Sequence, residues 1–116
     1  MARQSMYCAT KAALIALTGA LRSELWDENI RLTTVIPGTV ATPIWDTFEG
    51  APEGAITPVQ SAQGILAGVA ANERIVIVTD IDRKGAATAF RLDLSKKMDE
   101  YLLNIARKRN SGQIVI

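Results

Sequence analysis

Residues 57–79 read TPVQSAQGILAGVAANERIVIVT, and the order of residue types along them decides the fold. Thr57 offers an N-cap hydroxyl, Pro58 suits the first helical position, and Gln60 supplies the side chain that closes a capping box, so a helix opens here. Ala62, Ile65, Leu66 and Val69 are its expected buried face, and Asn72 its expected stop. Arg74 to Thr79 (RIVIVT) is a near-continuous apolar run, the pattern of a strand covered on both sides of a parallel sheet. Upstream, Ile30 to Ile36 is a second run rich in β-branched residues, and it ends at Pro37-Gly38, as a short buried strand entering a turn does. Strand, helix, strand makes a βαβ unit, whose strands are expected to be parallel with a right-handed crossover.

The flanking segments extend this unit. Leu14, Leu17, Leu21 and Leu25 recur at helical spacing among Ala9, Ala12, Ala13, Ala16 and Ala20, so residues 1–28 read as one long helix that Asn29 stops. The loop from Gly38 to about Ile56 is rich in Gly, Pro and Thr and longer than most connections, which suits a lid or a binding loop. A third helix is expected from Phe90, Leu94, Met98, Tyr101, Leu102 and Ile105, with Arg107-Lys108-Arg109 favourably placed at its C-terminus. Gln113 to Ile116 fit either a short strand or a frayed end. No internal repeat or low-complexity tract interrupts the chain.

Bulk properties narrow the function classes. At 116 residues the chain has room for one small domain. Lys and Arg number 13 against 12 acidic residues, so the chain as a whole has no field of one sign to draw nucleic acid or a membrane. Apolar residues make up 48%, which argues against disorder, yet no apolar run is long enough to span a bilayer. The start, MARQSMYCATK, lacks the features of a secretory signal, so a soluble, cytoplasmic protein is expected. A lone cysteine, Cys8, excludes an intrachain disulfide, and the absence of histidine argues against a zinc cluster and a Ser/His/Asp triad. No metal site is expected.

Tyr7 and Lys11 stand four residues apart, so on a helix they project side by side near its N-terminal end. An ammonium a few Å from a phenol favours the phenolate and lowers a pKa that is otherwise about 10. Such a tyrosine can pass a proton to or from a carbonyl or alcohol oxygen near neutral pH. The spacing alone also fits an ordinary solvated helix face, and Pro37-Gly38 alone an ordinary turn.

Taken together, YCATKAALIALTGALRSEL, a strand, and then VIPGTVATP resemble the short-chain dehydrogenase/reductase family as far as about Thr79. The resemblance implies that Tyr7 is the catalytic acid/base, while Lys11 lowers its pKa and hydrogen-bonds the nicotinamide ribose of NAD or NADP. It makes Pro37-Gly38 the turn against which the nicotinamide packs, Val40 the residue whose backbone meets the carboxamide, and Thr42 the threonine near the carboxamide and phosphates. A loop leaving the carboxyl end of a parallel strand is also where ligands bind in open α/β sheets.

Departures from the family accompany these matches. No strand, Gly-rich turn and helix unit for a pyrophosphate occurs. Gly50 and Gly54 lie in the loop, and Gly64 and Gly68 lie inside a helix, where they suit close packing on a sheet. The family's catalytic serine and helix asparagine have no counterpart. Ser5, too close to Tyr7 for that role, is expected to cap the helix start. Cys8 reads as a small buried residue rather than a nucleophile. Trp26 and Trp45 read as packing residues, with Trp45 inside the substrate loop implied by the resemblance.

The expected fold class is therefore α/β, a partial Rossmann-type doubly wound parallel sheet made of the last strands and helices, lacking the N-terminal dinucleotide-binding half. Residues 1–116 form a single incomplete domain, with catalytic helix, Pro-Gly loop and βαβ unit in 1–79 and a C-terminal helical tail in 80–116. The implied function is the catalytic and substrate-binding part of an NAD(P)-dependent oxidoreductase, inactive as this chain alone. One rival is a non-catalytic partner that associates through the first helix and an exposed sheet edge. Another is a chain that begins inside a longer enzyme, with Met1 an internal methionine. Expected partners are a small carbonyl or alcohol substrate and a second copy or a related full-length subunit, with neither nucleic acid nor membrane among them.

Overall fold

Helix α1 (Ser5–Glu24) leads into strand β1 (Thr34–Ile36), a 3-10 turn (Pro43–Thr47) and helix α2 (Pro58–Ala70), followed by strand β2 (Ile75–Ile77) and helices α3 (Asp80–Thr88) and α4 (Ser95–Asn110). The computed structural model describes residues 4–47 and 50–112. The strands pair in parallel as a two-stranded sheet, with Thr34 opposite Ile75, Val35 opposite Val76 and Ile36 opposite Ile77. This is the expected βαβ unit with shorter strands. Ile30 to Thr33 lie beside the turn between α2 and β2 instead of a strand. There the Thr33 hydroxyl donates to the Glu73 carbonyl at 2.8 Å, and the ladder begins only where Thr34 N–H meets the Arg74 carbonyl at 3.0 Å. At the other end Val78 N–H still donates to the Ile36 carbonyl at 3.1 Å, but Thr79 has left the strand to cap α3.

Both helices that feed a strand end in the same way. Asn29 and Asn72 adopt φ of 59° and 54°, and the N–H that follows each reaches back into the helix, Ile30 to the Leu25 carbonyl at 3.3 Å and Glu73 to the Gly68 carbonyl at 3.0 Å. A left-handed residue with this backward bond closes a helix C-terminus, and asparagine tolerates that conformation better than most residues. The two stops thus fall where the sequence puts them, although regular α1 ends earlier, at Glu24. At the other end of α1, Ser5 is the first helical residue and not the cap. Gln4 holds the cap position without a side-chain bond.

Helix α2 opens with the expected capping box, the Thr57 side chain accepting from Gln60 N–H and the Gln60 side chain from Thr57 N–H. Its buried face differs from the expected one. Ser61 and Gly68 are buried and Gly64 and Ile65 half-buried, whereas Ala62, Leu66 and Val69 face outward. The cause is the close approach foreseen for the glycines. A Cβ on Gly64 would stand 2.8 Å from Val78 Cγ1, and one on Gly68 would overlap the Val76 methyls, so the glycine side is the one that can lie on β2.

Helix α3 was not expected, because Ile81 is its only large apolar residue and is exposed. It forms through its N-terminus, where Thr79 accepts from Asp82 N–H and Asp80 and Asp82 lie at the positive end of the helix dipole. The third helix foreseen from Phe90 onward starts at Ser95 after a 3-10 turn at Leu92–Leu94, and Arg107, Lys108 and Arg109 occupy its last turn as expected. Gln113 to Ile116 lie outside the described residues. Val76, 3% exposed, and Ser61, 6% exposed, are the centre of packing among the described residues.

Candidate active site

Arg22, near the C-terminal end of α1, fixes how that helix lies on the sheet. Its guanidinium donates to the Leu32 carbonyl at 2.5 Å and to the Asn72 carbonyl and Oδ1 at 2.7 and 2.8 Å, tying α1 to the entrances of both strands. Helix α1 also packs on β1, and Tyr7 and Lys11 stand near its N-terminal end, away from Arg22. The rise from Arg22 back to Tyr7 is about 22 Å at the α-helical repeat, comparable with the run of chain from Leu32 to the Pro37-Gly38 turn.

At that end Lys11 Nζ sits 5.5 Å from the centre of the Tyr7 ring, so the pair shares a face as its spacing predicts. The Thr10 hydroxyl between them is turned to the Tyr7 carbonyl at 2.8 Å and does not compete for the phenol. Tyr7 is 56% exposed, which leaves its hydroxyl open to a reacting molecule. Cys8 is half-buried, close to the small packed residue expected.

Pro37 and Gly38 leave the carboxyl end of β1. Gly38 has φ of 74°, and a Cβ on it would come within 2.6 Å of Asp82 Oδ2 and of Thr79 Cγ2, so the turn is seated directly on the start of α3. Val40 then forms an isolated parallel bridge with Ile56. In that bridge Ile56 bonds the residues on either side of Val40, donating to the Thr39 carbonyl at 3.0 Å and accepting from Ala41 N–H at 2.9 Å. The N–H and C=O of Val40 are therefore turned away from Ile56. The Val40 carbonyl accepts the Trp45 indole N–H at 2.8 Å, and Trp45 N–H donates to the Thr42 carbonyl at 3.1 Å. Trp45 is thus a wall of this loop. Trp26, at the far end of α1, stacks with Arg31 and Arg22, whose guanidinium carbons lie 3.7 and 5.3 Å from its ring centre.

Two groups of expected site residues result. Tyr7 and Lys11 form one on α1, and Pro37, Gly38, Val40 and Thr42 form the other on a single loop. These residues suit the nicotinamide end of a dinucleotide, offering a backbone edge at Val40, a glycine turn and a lysine beside the phenol. The pyrophosphate finds no such cradle among the described residues. Gly50 and Gly54 have φ of 105° and 83°, yet among the described residues nothing beyond their chain neighbours lies within 4 Å of where their Cβ would be, and the start of α2 is closed by its own capping box. Sequence reasoning missed Thr79 and Asp82. The signal was present, since Thr79 followed three residues later by an acidic residue is a helix-start pattern, but Thr79 also completes the β-rich run RIVIVT. An open cleft of about 460 Å³ lined by Gly19, Arg22, Ser23, Trp26, Asp27 and Arg74 lies at the opposite end of the sheet and contains none of the expected site residues. No cluster of metal-ligating side chains and no helix long and apolar enough to cross a membrane occurs among the described residues.

Comparison with known proteins bears on the same segment. The family model described as short chain dehydrogenase matches residues 1–53, which include Tyr7, Lys11 and the loop through Thr42. An NADP-dependent 3-hydroxy acid dehydrogenase from Schizosaccharomyces pombe is 37% identical over 83 residues, covering 63% of this chain and 32% of that protein. A dehydrogenase/reductase SDR family protein 7-like from Anopheles gambiae is 28% identical over 94 residues, covering 72% of this chain and 30% of that protein. The chain thus spans about a third of the length of these curated relatives. No solved structure matches it significantly. Tyr7 and Lys11 on one helix face and the Pro-Gly turn at the strand end both lie inside the matched residues, so the matches support a segment similar to the short-chain dehydrogenases.

Proposed function

We propose that this chain is the catalytic and substrate-binding segment of an NAD(P)-dependent oxidoreductase acting on a carbonyl or alcohol, with the dinucleotide-binding half supplied by residues outside the sequence. The observation that carries the reading is Lys11 Nζ at 5.5 Å from the centre of the Tyr7 ring, within the residues the family model matches. When bound, the nicotinamide supplies hydride transfer. The Tyr7 hydroxyl gives a proton to the substrate oxygen in reduction and takes it in oxidation. The Lys11 ammonium holds the ribose. Pro37-Gly38 and the backbone of Val40 support the nicotinamide ring and carboxamide, and Thr42 stands near the carboxamide and phosphates. The relative named as a 3-hydroxy acid dehydrogenase supports a small hydroxy acid, or the corresponding oxo acid, as substrate. Residues 1–79 carry this machinery and 80–116 form a tail beside it.

The test is Tyr7→Phe in a complete enzyme containing this segment, where loss of the proton-transferring hydroxyl is expected to lower kcat by about 10²–10⁴-fold without loss of fold. Lys11→Met is expected to lower activity and raise the KM for the cofactor through the lost bond to the ribose. Wild-type turnover in both variants would exclude the assignment. A second reading, a non-catalytic partner chain, is favoured by the exposure of Met6, Leu14 and Leu17 on α1, which suits association with a second copy or a related subunit in the cytoplasm. It predicts binding to such a subunit that Tyr7→Phe leaves untouched.

A further inference from the structure

We infer that Thr79 and Asp82 are positioning residues for the Pro37-Gly38 turn, so that the start of α3 governs how that turn meets a nicotinamide. The inference rests on the functional reading above. Three observations carry it. The turn is held against the pair, since a Cβ on Gly38 would meet Asp82 Oδ2 and Thr79 Cγ2 at 2.6 Å and Thr79 Oγ1 at 3.0 Å. The pair is itself locked, because the Thr79 hydroxyl donates to Asp82 Oδ2 while accepting from Asp82 N–H at 3.3 Å. Both partners are half-buried at the start of α3, which follows directly on the strand that pairs with β1, Val78 N–H being bonded to the Ile36 carbonyl at 3.1 Å one residue before the turn.

The physical consequence is directional. Pro37 fixes its own φ, and Gly38, lacking a Cβ, has wide conformational freedom, so the turn can pivot at Gly38 unless something blocks it. The Thr79 methyl and the Asp82 carboxylate occupy the space into which Gly38 would move. Removing the carboxylate opens that space. A support displaced by about 1 Å is enough to cost a well-positioned reaction up to about 100-fold.

The experiment has two readouts. In the 116-residue chain, amide spectra should show Asp82→Ala moving the Gly38, Thr39 and Val40 resonances, with Asp82→Asn, which keeps the size and an oxygen for Thr79, restoring them. In a complete enzyme carrying the segment, Asp82→Ala should raise the KM for the nicotinamide cofactor about tenfold with a smaller change in the substrate KM, and Asp82→Asn should return it to within about twofold. A wild-type enzyme that uses the cofactor and an Asp82→Ala variant with unchanged cofactor KM would overturn the positioning role and leave the functional reading standing. A complete wild-type enzyme without cofactor-dependent turnover would overturn both. Should Asp82→Ala fail to fold, Thr79→Ser serves instead, since it keeps the capping hydroxyl and removes only the methyl behind Gly38. Unchanged Gly38 resonances and cofactor KM in that variant would equally refute the inference.

Discussion

Gly38 meets two separate demands for glycine, a backbone φ of 74° and a close approach to Thr79 and Asp82. A side chain there pays twice, once in backbone strain and once in displacing the helix cap. In a complete protein carrying this segment, Gly38→Ala is therefore expected to lower stability by about 1–3 kcal/mol, read as a shift of the urea midpoint with unchanged slope. A loss below about 0.5 kcal/mol would mean that the turn re-forms elsewhere. At this scale the placement of the residues was legible. Helical spacing puts Tyr7 and Lys11 on one face, and a β-rich run ends at Pro37-Gly38, whereas the roles given to them come from the family resemblance. Thr79 and Asp82 were hidden because they touch the turn only through the fold, and nothing in local sequence ties residue 79 to residue 38.

Among the elements, α2 and its contact with β2 offer the sharpest test of packing. Gly68→Leu should push α2 off the sheet and destabilise the chain by about 1–3 kcal/mol, the usual range for overpacking. Val76→Ala in the same chain should recover part of that loss, because it removes the methyls that the new side chain would strike. Additive losses in the double variant would show that the two residues do not meet. The existence, type and order of α1, β1, α2 and β2 were legible, since capping chemistry and β-branched runs are local properties. Strand length was not, because a strand continues only as far as its neighbour does and β2 starts at Ile75. Nor was the buried face of α2. Leu66 is 67% exposed, since closeness of approach, set by glycine, outweighs side-chain hydrophobicity at this contact. Helix α3 escaped because amphipathic periodicity does not define it.

The whole molecule buries little of what it has. Its radius of gyration is 16.3 Å, against about 13 Å for a compact domain of this length. Met6 and Phe90 are 77% and 96% exposed, and each strand of the two-stranded sheet has one edge outside the pair. Exposed apolar faces and unpaired strand edges are templates for association. Sedimentation velocity of the purified chain is therefore expected to give species larger than a monomer, increasing with concentration. A single monomer-sized boundary throughout, together with a cooperative thermal transition, would show that the chain closes a core of its own.

The bridge between Val40 and Ile56 has a consequence for how such a protein can change. The chain leaves at Val40 and returns at Ile56, so a change in the length of the stretch between them is met first at this clasp. Loop closure grows costly only slowly, by about 0.6 kcal/mol for each doubling of length. Residues 43–55 are therefore a cassette. Replacing them with segments of other length and composition is expected to leave β1 and β2 paired in register, with the Val40–Ile56 bridge holding the two ends of each new segment together.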